Sequence, residues 1–253
     1  MQTYNKLATQ FYDLAKTEQD ATAEIDFYAA YAHASIGPIL EPMCGSGRIL
    51  LPLLKAGFTI QGFDASAHML AALREKYAHI CNDELPVWQQ FVQDFTSDKR
   101  YGLMFIPFGS WGLVLDQEER LHGLQALYDH LLPGGTLVLE IDTVASEVDA
   151  DTALREQSFM QTDGSIIAVQ MASVYDSETQ IYRAFSRYTL SRDGVVISTE
   201  QEIFTQYVFR HDELEVMLHR VGFSVIKKYK NHAKEPAGEQ DLMIIYECIR
   251  GVC

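Results

Sequence analysis

The sequence predicts an α/β fold, and three observations carry that reading. From Pro38 to Asp142, apolar strand-like runs alternate with amphipathic helical stretches, the order that builds βαβ units with right-handed crossovers. The run "TLVLEID" (136–142) is almost continuously apolar, as in a parallel strand covered on both faces. A glycine-containing turn, "CGSGR" (44–48), joins the first strand-like run to the first helix of that series.

The elements follow in order. Residues 1–36 place Leu7, Phe11 and Leu14, then Ile25, Tyr28 and Ala29, at helical spacing; this predicts two short helices acting as a lid or entry segment. Next come "PILEP" (strand), "GRILLPLLKAG" (helix), "FTIQGFD" (strand) and "SAHMLAALREKYA" (helix). A third strand fits "VWQQFVQD", a fourth "GLMFIPFG", and the fifth is "TLVLEID". The helix "DQEERLHGLQALYDHLL" between the last two has Asp116 as N-cap, Glu119 three residues on, and "PGG" to stop it. After an acidic loop, "TVASEVDADTALREQ", three long period-two segments predict an antiparallel insertion, with Asp193-Gly194 as a hairpin turn. The helix "HDELEVMLHRVG" closes on Gly222, and "FSVIKKYK" and "DLMIIYECI" are the final strands. The predicted division is a lid over 1–36, a ligand-binding domain over 37–142 and 210–250, and the insertion over 143–209.

Composition narrows the function classes. A chain of 253 residues, 47% hydrophobic, fits one α/β domain with an insertion. No stretch approaches the roughly 20 apolar residues of a membrane span, and no basic segment followed by an apolar run begins the chain, so no membrane partner and a cytoplasmic location are expected. Cys44, Cys81, Cys248 and Cys253 lack C-x-x-C pairing and the eight histidines lack ligand spacing, so reduced thiols and no metal are expected. A net charge of −15 disfavours a nucleic-acid backbone and leaves a small molecule as the expected substrate.

The turn then selects a cofactor. Gly45 and Gly47 let backbone approach a ligand at a helix start, but the dinucleotide fingerprint needs a third glycine where Leu50 stands. Glu41, before the turn, would repel a pyrophosphate; it suits a cofactor with an ammonium and a cationic sulfur, as in S-adenosylmethionine. Asp64, 17 residues after Gly47, is placed to accept from both ribose hydroxyls. Asp94 ends the predicted third strand, where it would accept from an adenine amino group with Phe95 beside the ring. Glu41, Asp64 with Ala65, Asp94, and Pro107 in "IPFG" all fall at strand carboxyl ends, the crevice where open α/β sheets bind ligands. Arg48 contacts either the cofactor tail or a neighbouring acid.

In order and spacing, "LEPMCGSGR", "GFDAS", "VQDF" and "LLPGGTLVLEID" resemble the motifs of class I S-adenosylmethionine-dependent methyltransferases over about residues 1 to 250. One departure is Met43, where the family usually has a glycine. The resemblance implies a Rossmann-like seven-stranded mixed sheet with its last strand antiparallel and helices on both faces, here with a three-stranded antiparallel insertion before the last helix. It implies methionine-tail contacts from Glu41 to Gly47, ribose at Asp64, adenine at Asp94, and Met69 against the adenosine. Tyr12, in "QFYDLA", resembles a lid tyrosine of related enzymes; an ordinary core role is the alternative. The insertion resembles that of small-molecule methyltransferases, including those acting on amino groups of nucleotide-linked sugars, where extra strands cover the substrate and often join a homodimer.

The acceptor side is less legible. "PFGSWG" (107–112) fails the hydrolase elbow because position 108 is Phe, and it also lacks the N/D-P-P-Y/F/W signature of DNA and protein-amide methyltransferases. Phe108 and Trp111 are the expected pocket lining around the sulfonium. In "YRAFSRY", Arg183, Phe185 and Arg187 share one strand face, and Tyr182, Ser186 and Tyr188 the other. His211, Tyr182 and Glu140 are candidates for a base that removes an acceptor proton. The resulting expectation is methyl transfer from S-adenosylmethionine to a small-molecule amine or hydroxyl. A nicotinamide-dependent oxidoreductase and a non-catalytic cofactor-sensing module are the alternatives.

Overall fold

A computed structural model describes residues 4–16, 21–79, 84–144 and 154–252. Its centre is a seven-stranded sheet in the order β10-β11-β5-β4-β1-β2-β3. The strands are β1 (Ile39–Pro42), β2 (Ile60–Asp64), β3 (Val87–Gln89), β4 (Tyr101–Ile106), β5 (Leu131–Asp142), β10 (Val225–Tyr229) and β11 (Met243–Ile249). β1 pairs parallel with β2 and β4, as do β2 with β3 and β4 with β5, whereas β11 runs antiparallel to both β5 and β10. The last strand is thus the reversed one, as expected.

The pleat sends alternate residues into two cores. On one face, Leu40, Met104 and Leu139 pack with α5 (Gln117–His130) and α6 (Glu213–Val221) through Leu124, Leu127, Leu214 and Leu218. On the other, Ile39, Phe105 and Val138 meet α2 (Thr22–Ala34), α3 (Leu50–Lys55) and α4 (Ala67–Ala78). Every residue of β4 is buried, which explains its unbroken apolar run. Cys44 and Cys248 are buried free thiols. Among the described residues no helix is long and apolar enough to cross a membrane.

The insertion is a separate antiparallel sheet, β6-β7-β8-β9, of Arg155–Met160, Ile166–Asp176, Ile181–Arg192 and Val195–Tyr207. It has four strands rather than three. β6 overlaps the end of the predicted acidic loop by three residues and runs on through a stretch assigned to no element, because its residues are mostly exposed and leave no apolar alternation to detect. Asp193 and Gly194 both have positive φ, 50° and 77°, as the predicted hairpin turn requires. The helix α1 (Lys6–Ala15) lies against this sheet, with Phe11 against Phe159 at 5.3 Å and Tyr188 at 5.7 Å. α2 does not share that position: its Tyr28 stacks on Phe105 of β4 at 4.5 Å, so it belongs to the layer covering the main sheet.

Three boundaries differ from expectation. β3 stops at Gln89, and Val92–Asp94 forms a 3₁₀ turn. Gln90 closes it by donating its amide to Asp64 O at 3.0 Å and its side chain to Asp94 O at 2.9 Å. α3 starts at Leu50, three residues late, because Gly47 holds φ +82°. β5 starts at Leu131 and carries "PGG" as an irregularity opposite Tyr101–Leu103.

Candidate active site

A cavity of ≈ 240 Å³ opens at the carboxyl ends of β1, β2 and β4. Its floor is the turn after β1. Met43, Gly45 and Gly47 all take positive φ there (58°, 52° and 82°), which folds the chain back and brings the Gly45 amide to Asp64 Oδ2 at 2.8 Å. The two glycines serve different ends. Gly45 lines the cavity, with Met69 Sδ 3.9 Å from the place a Cβ would occupy. Gly47 does not line it; a Cβ there would lie 2.2 Å from Leu73 and 3.1 Å from Leu51, so that glycine lets the turn press onto α3 and α4.

Two carboxyl groups mark the floor. Glu41 is 2% exposed, and its Oε2 has no hydrogen-bond partner. Burial first, then the nearby Asp64, holds its pKa well above the usual carboxylate value. Asp64 is also raised by burial, although the amides of Gly45 and Ser66 oppose this; Ser66 N donates to Oδ1 at 2.7 Å. Arg48 lies on the same wall, its guanidinium 4.1 Å from the centre of the Phe108 ring. It pairs with Glu24 at 3.9 Å, and its buried Nε has no partner. Tyr12 lies on the wall, its hydroxyl pKa raised by burial and partly drawn back by Arg48.

Of the residues singled out in the sequence, Tyr12, Glu41, Gly45, Arg48, Asp64, Ala65, Met69, Pro107 and Phe108 come together around this cavity. Asp94 does not. It is exposed, on the 3₁₀ turn, because β3 ends five residues before it; Gln90 and Gln93 line the cavity from that segment instead. Phe95 packs in the core, stacked on Phe63 at 5.1 Å. Trp111 is likewise fully buried in the core rather than lining a pocket. His211, Tyr182 and Glu140 are also absent from the wall. His211 Nδ1 meets Asp212 at 2.9 Å, Tyr182 pairs with Tyr175 and Gln206 within the insertion, and Glu140 is buried beneath Tyr28 and His232.

Sequence reasoning missed part of the wall. Tyr4 and Thr205 close it from α1's start and from β9, and Asp116 and Glu119 stand at its rim at the head of α5. The cap pattern marked Asp116 as a helix start, and indeed its Oδ1 accepts from the amides of Glu118 and Glu119. Tyr4 and Thr205 carried no local signal, since their place depends on contacts between distant segments.

The donor set fits S-adenosylmethionine. A buried carboxylate oxygen and a buried guanidinium nitrogen, each without a partner, suit the ammonium and carboxylate of an amino-acid tail. An acidic wall suits a cationic sulfur.

Comparison with known proteins agrees. Residues 39–135 match the family model described as a methyltransferase domain. The chain is 25% identical over 221 residues to a glycine/sarcosine N-methyltransferase of Halorhodospira halochloris, covering 86% of this chain and 77% of that one. It is 29% identical over 102 residues to a dTDP-3-amino-3,6-dideoxy-alpha-D-glucopyranose N,N-dimethyltransferase of Streptomyces fradiae, covering 40% and 38% of the two chains. The fold superposes on the CcbJ methyltransferase of Streptomyces caelestis with a TM-score of 0.78 over 100% of this chain and 99% of that one, at 21% identity. Residues 39–135 therefore form a methyltransferase domain, and the chain is an S-adenosylmethionine-dependent methyltransferase.

Proposed function

We propose that this methyltransferase acts on a small-molecule amine, with the cofactor tail between Glu41 and Arg48, its ribose at Asp64 and its adenine toward Gln90 and Gln93. The observation that carries the cofactor placement is the buried, unpartnered Oε2 of Glu41 on the cavity wall. A buried carboxyl oxygen left without a partner is costly unless a cationic ligand supplies one. When bound, S-adenosylmethionine supplies a methyl carbon already activated by positive sulfur. The chain's own task is then alignment and exclusion of water. Arg48 lies over the Phe108 ring and offers its unpartnered Nε to a carboxylate. Asp64, braced by two backbone amides, retains lone pairs for ribose hydroxyls. Phe108, at φ +57°, turns its ring to the cavity where β4 ends.

Support for an amine acceptor comes from two sides. The two relatives described above are by name N-methyltransferases. Glu41, Asp64, Asp116 and Glu119 outnumber Arg48 around the cavity, a balance that favours cationic or amine-bearing molecules over anionic ones. The same reading keeps residues 143–209 as the substrate-side cover and 37–142 with 210–250 as the cofactor-binding part. From residues 1–36 it takes α1 as lid and leaves α2 with the sheet. It keeps a cytoplasmic location and a homodimer formed through the outer face of the insertion, where Phe185 and Ile203 are exposed neighbours.

The test is turnover of methyl-labelled cofactor with aminosugars, amino acids and their hydroxyl counterparts, read by mass spectrometry. A methyl gained on nitrogen is expected. Transfer to the hydroxyl series alone overturns the amine assignment. Sedimentation of the purified chain tests the dimer.

A further inference from the structure

The first helix lacks a cap of its own. Asn5 stands at the N-cap position without a side-chain capping bond, and no acid occupies the first turn, so the leading N–H groups need acceptors from elsewhere. They find them on β9, 198 residues away in sequence at the far point. The amides of Tyr4 and Asn5 donate to the two oxygens of Glu202 at 3.1 and 2.9 Å, and the amide of Leu7 donates to Glu200 Oε2 at 2.7 Å. Glu202 is only 9% exposed and pairs in register with Ser186 on β8; Glu200 pairs with Tyr188. Both carboxylates therefore face α1, where the positive end of the helix dipole favours them and each bond is charge-assisted.

Of the residues so gripped, Tyr4 lines the cavity. Tyr4 meets Tyr12 edge-on at 5.7 Å and Phe204 at 6.1 Å, and Tyr4, Tyr12 and Thr205 all line the cavity. Tyr4 O accepts from Ser66 Oγ at 3.1 Å, two residues beyond Asp64. Farther along α1, Asp13 bonds Ser46 and Lys76. A molecule behind Tyr4 and Tyr12 stays as long as α1 stays.

We propose that Glu200 and Glu202 are positioning residues for the cofactor: the insertion sheet latches α1 over the cavity and thereby sets how long the cofactor remains bound. This rests on the cavity being the S-adenosylmethionine site. It gives the insertion a second task besides covering the acceptor.

The test compares the full-length chain with Glu202→Ala and with the milder Glu200→Gln and Glu202→Gln. Two quantities are read: the stopped-flow dissociation rate of S-adenosylhomocysteine, and hydrogen exchange of residues 4–16 without ligand. Loss of Glu202's charged bonds is expected to speed dissociation roughly tenfold, to raise KM for the cofactor with kcat little changed, and to speed exchange at the start of α1 only. Glu202→Gln, which keeps an acceptor oxygen, is expected to restore part of the protection, and it carries the test if Glu202→Ala does not fold. Unchanged dissociation, or unchanged exchange over residues 4–16, overturns the latch. If the unaltered chain fails to bind S-adenosylhomocysteine, the cofactor placement falls, while exchange in the ligand-free chain still decides whether the carboxylates hold α1.

Discussion

At Glu41 a single carboxyl group sets folding against binding. Its folded pKa lies well above the ordinary 4.5 because it is buried, so between those two values the folded chain holds a proton that the unfolded chain has lost. Stability of the ligand-free protein is then fullest below the ordinary value and falls as pH rises toward the raised one. Glu41→Gln removes that penalty and is expected to raise the melting temperature of the ligand-free protein at neutral pH. The same change is expected to weaken S-adenosylhomocysteine roughly tenfold or more by removing a charged acceptor. Thermal unfolding with and without the ligand checks both signs. Asp64→Ala is expected to abolish the ligand-induced thermal shift and to lower stability slightly, because Asp64 also braces Gly45 and Ser66. At this scale the sequence was informative wherever a residue's role is local. Glu41 and Asp64 were legible from their positions at strand ends, while Met43 looked like a flaw in the motif. In the fold Met43 holds φ +58°, the conformation a glycine would take, so the turn survives the substitution.

Among elements, the turn after β4 is where backbone geometry and site meet. Gly109 holds φ +66°, and a Cβ there would lie 2.4 Å from Asp142 Oδ2 and 3.2 Å from Gln206 Nε2. Gln206 donates to that same oxygen at 2.6 Å and to Gly109 O at 3.3 Å, tying the insertion to the ends of β4 and β5. Gly109→Ala is expected to cost about 1–3 kcal/mol and to lower kcat through displacement of Phe108; chemical denaturation and kinetics check the two effects separately. Helices with their own caps, such as α5 with Asp116, were legible in the sequence. α1 was legible as a helix but not as a latched one, because its cap comes from β9. β3 reads too long in the sequence because Phe91 and Val92 resume the apolar character of Val87 and Trp88 after the chain has turned at Gln90, and this is why Asp94 is not at a strand end. β6 leaves no period-two signal in the sequence because it is a mostly exposed edge strand.

For the whole molecule, the two-faced sheet and the attached insertion were legible because each depends on periodicity alone: continuous apolar runs for buried parallel strands, period two for the meander. The way α1, β9 and the cavity close on one another was not, since it joins segments almost the full chain apart. The cofactor could be read from the strand ends; the acceptor could not, because its side of the cavity is assembled from loops and the insertion. The central claim is therefore tested most directly by incubating the protein with methyl-labelled S-adenosylmethionine and matched amine and hydroxyl acceptors, then locating the label by mass spectrometry. One labelled methyl on an amine nitrogen, lost in Asp64→Ala, is the expected result. Label found on hydroxyl oxygen alone, or full transfer by Asp64→Ala, would contradict it.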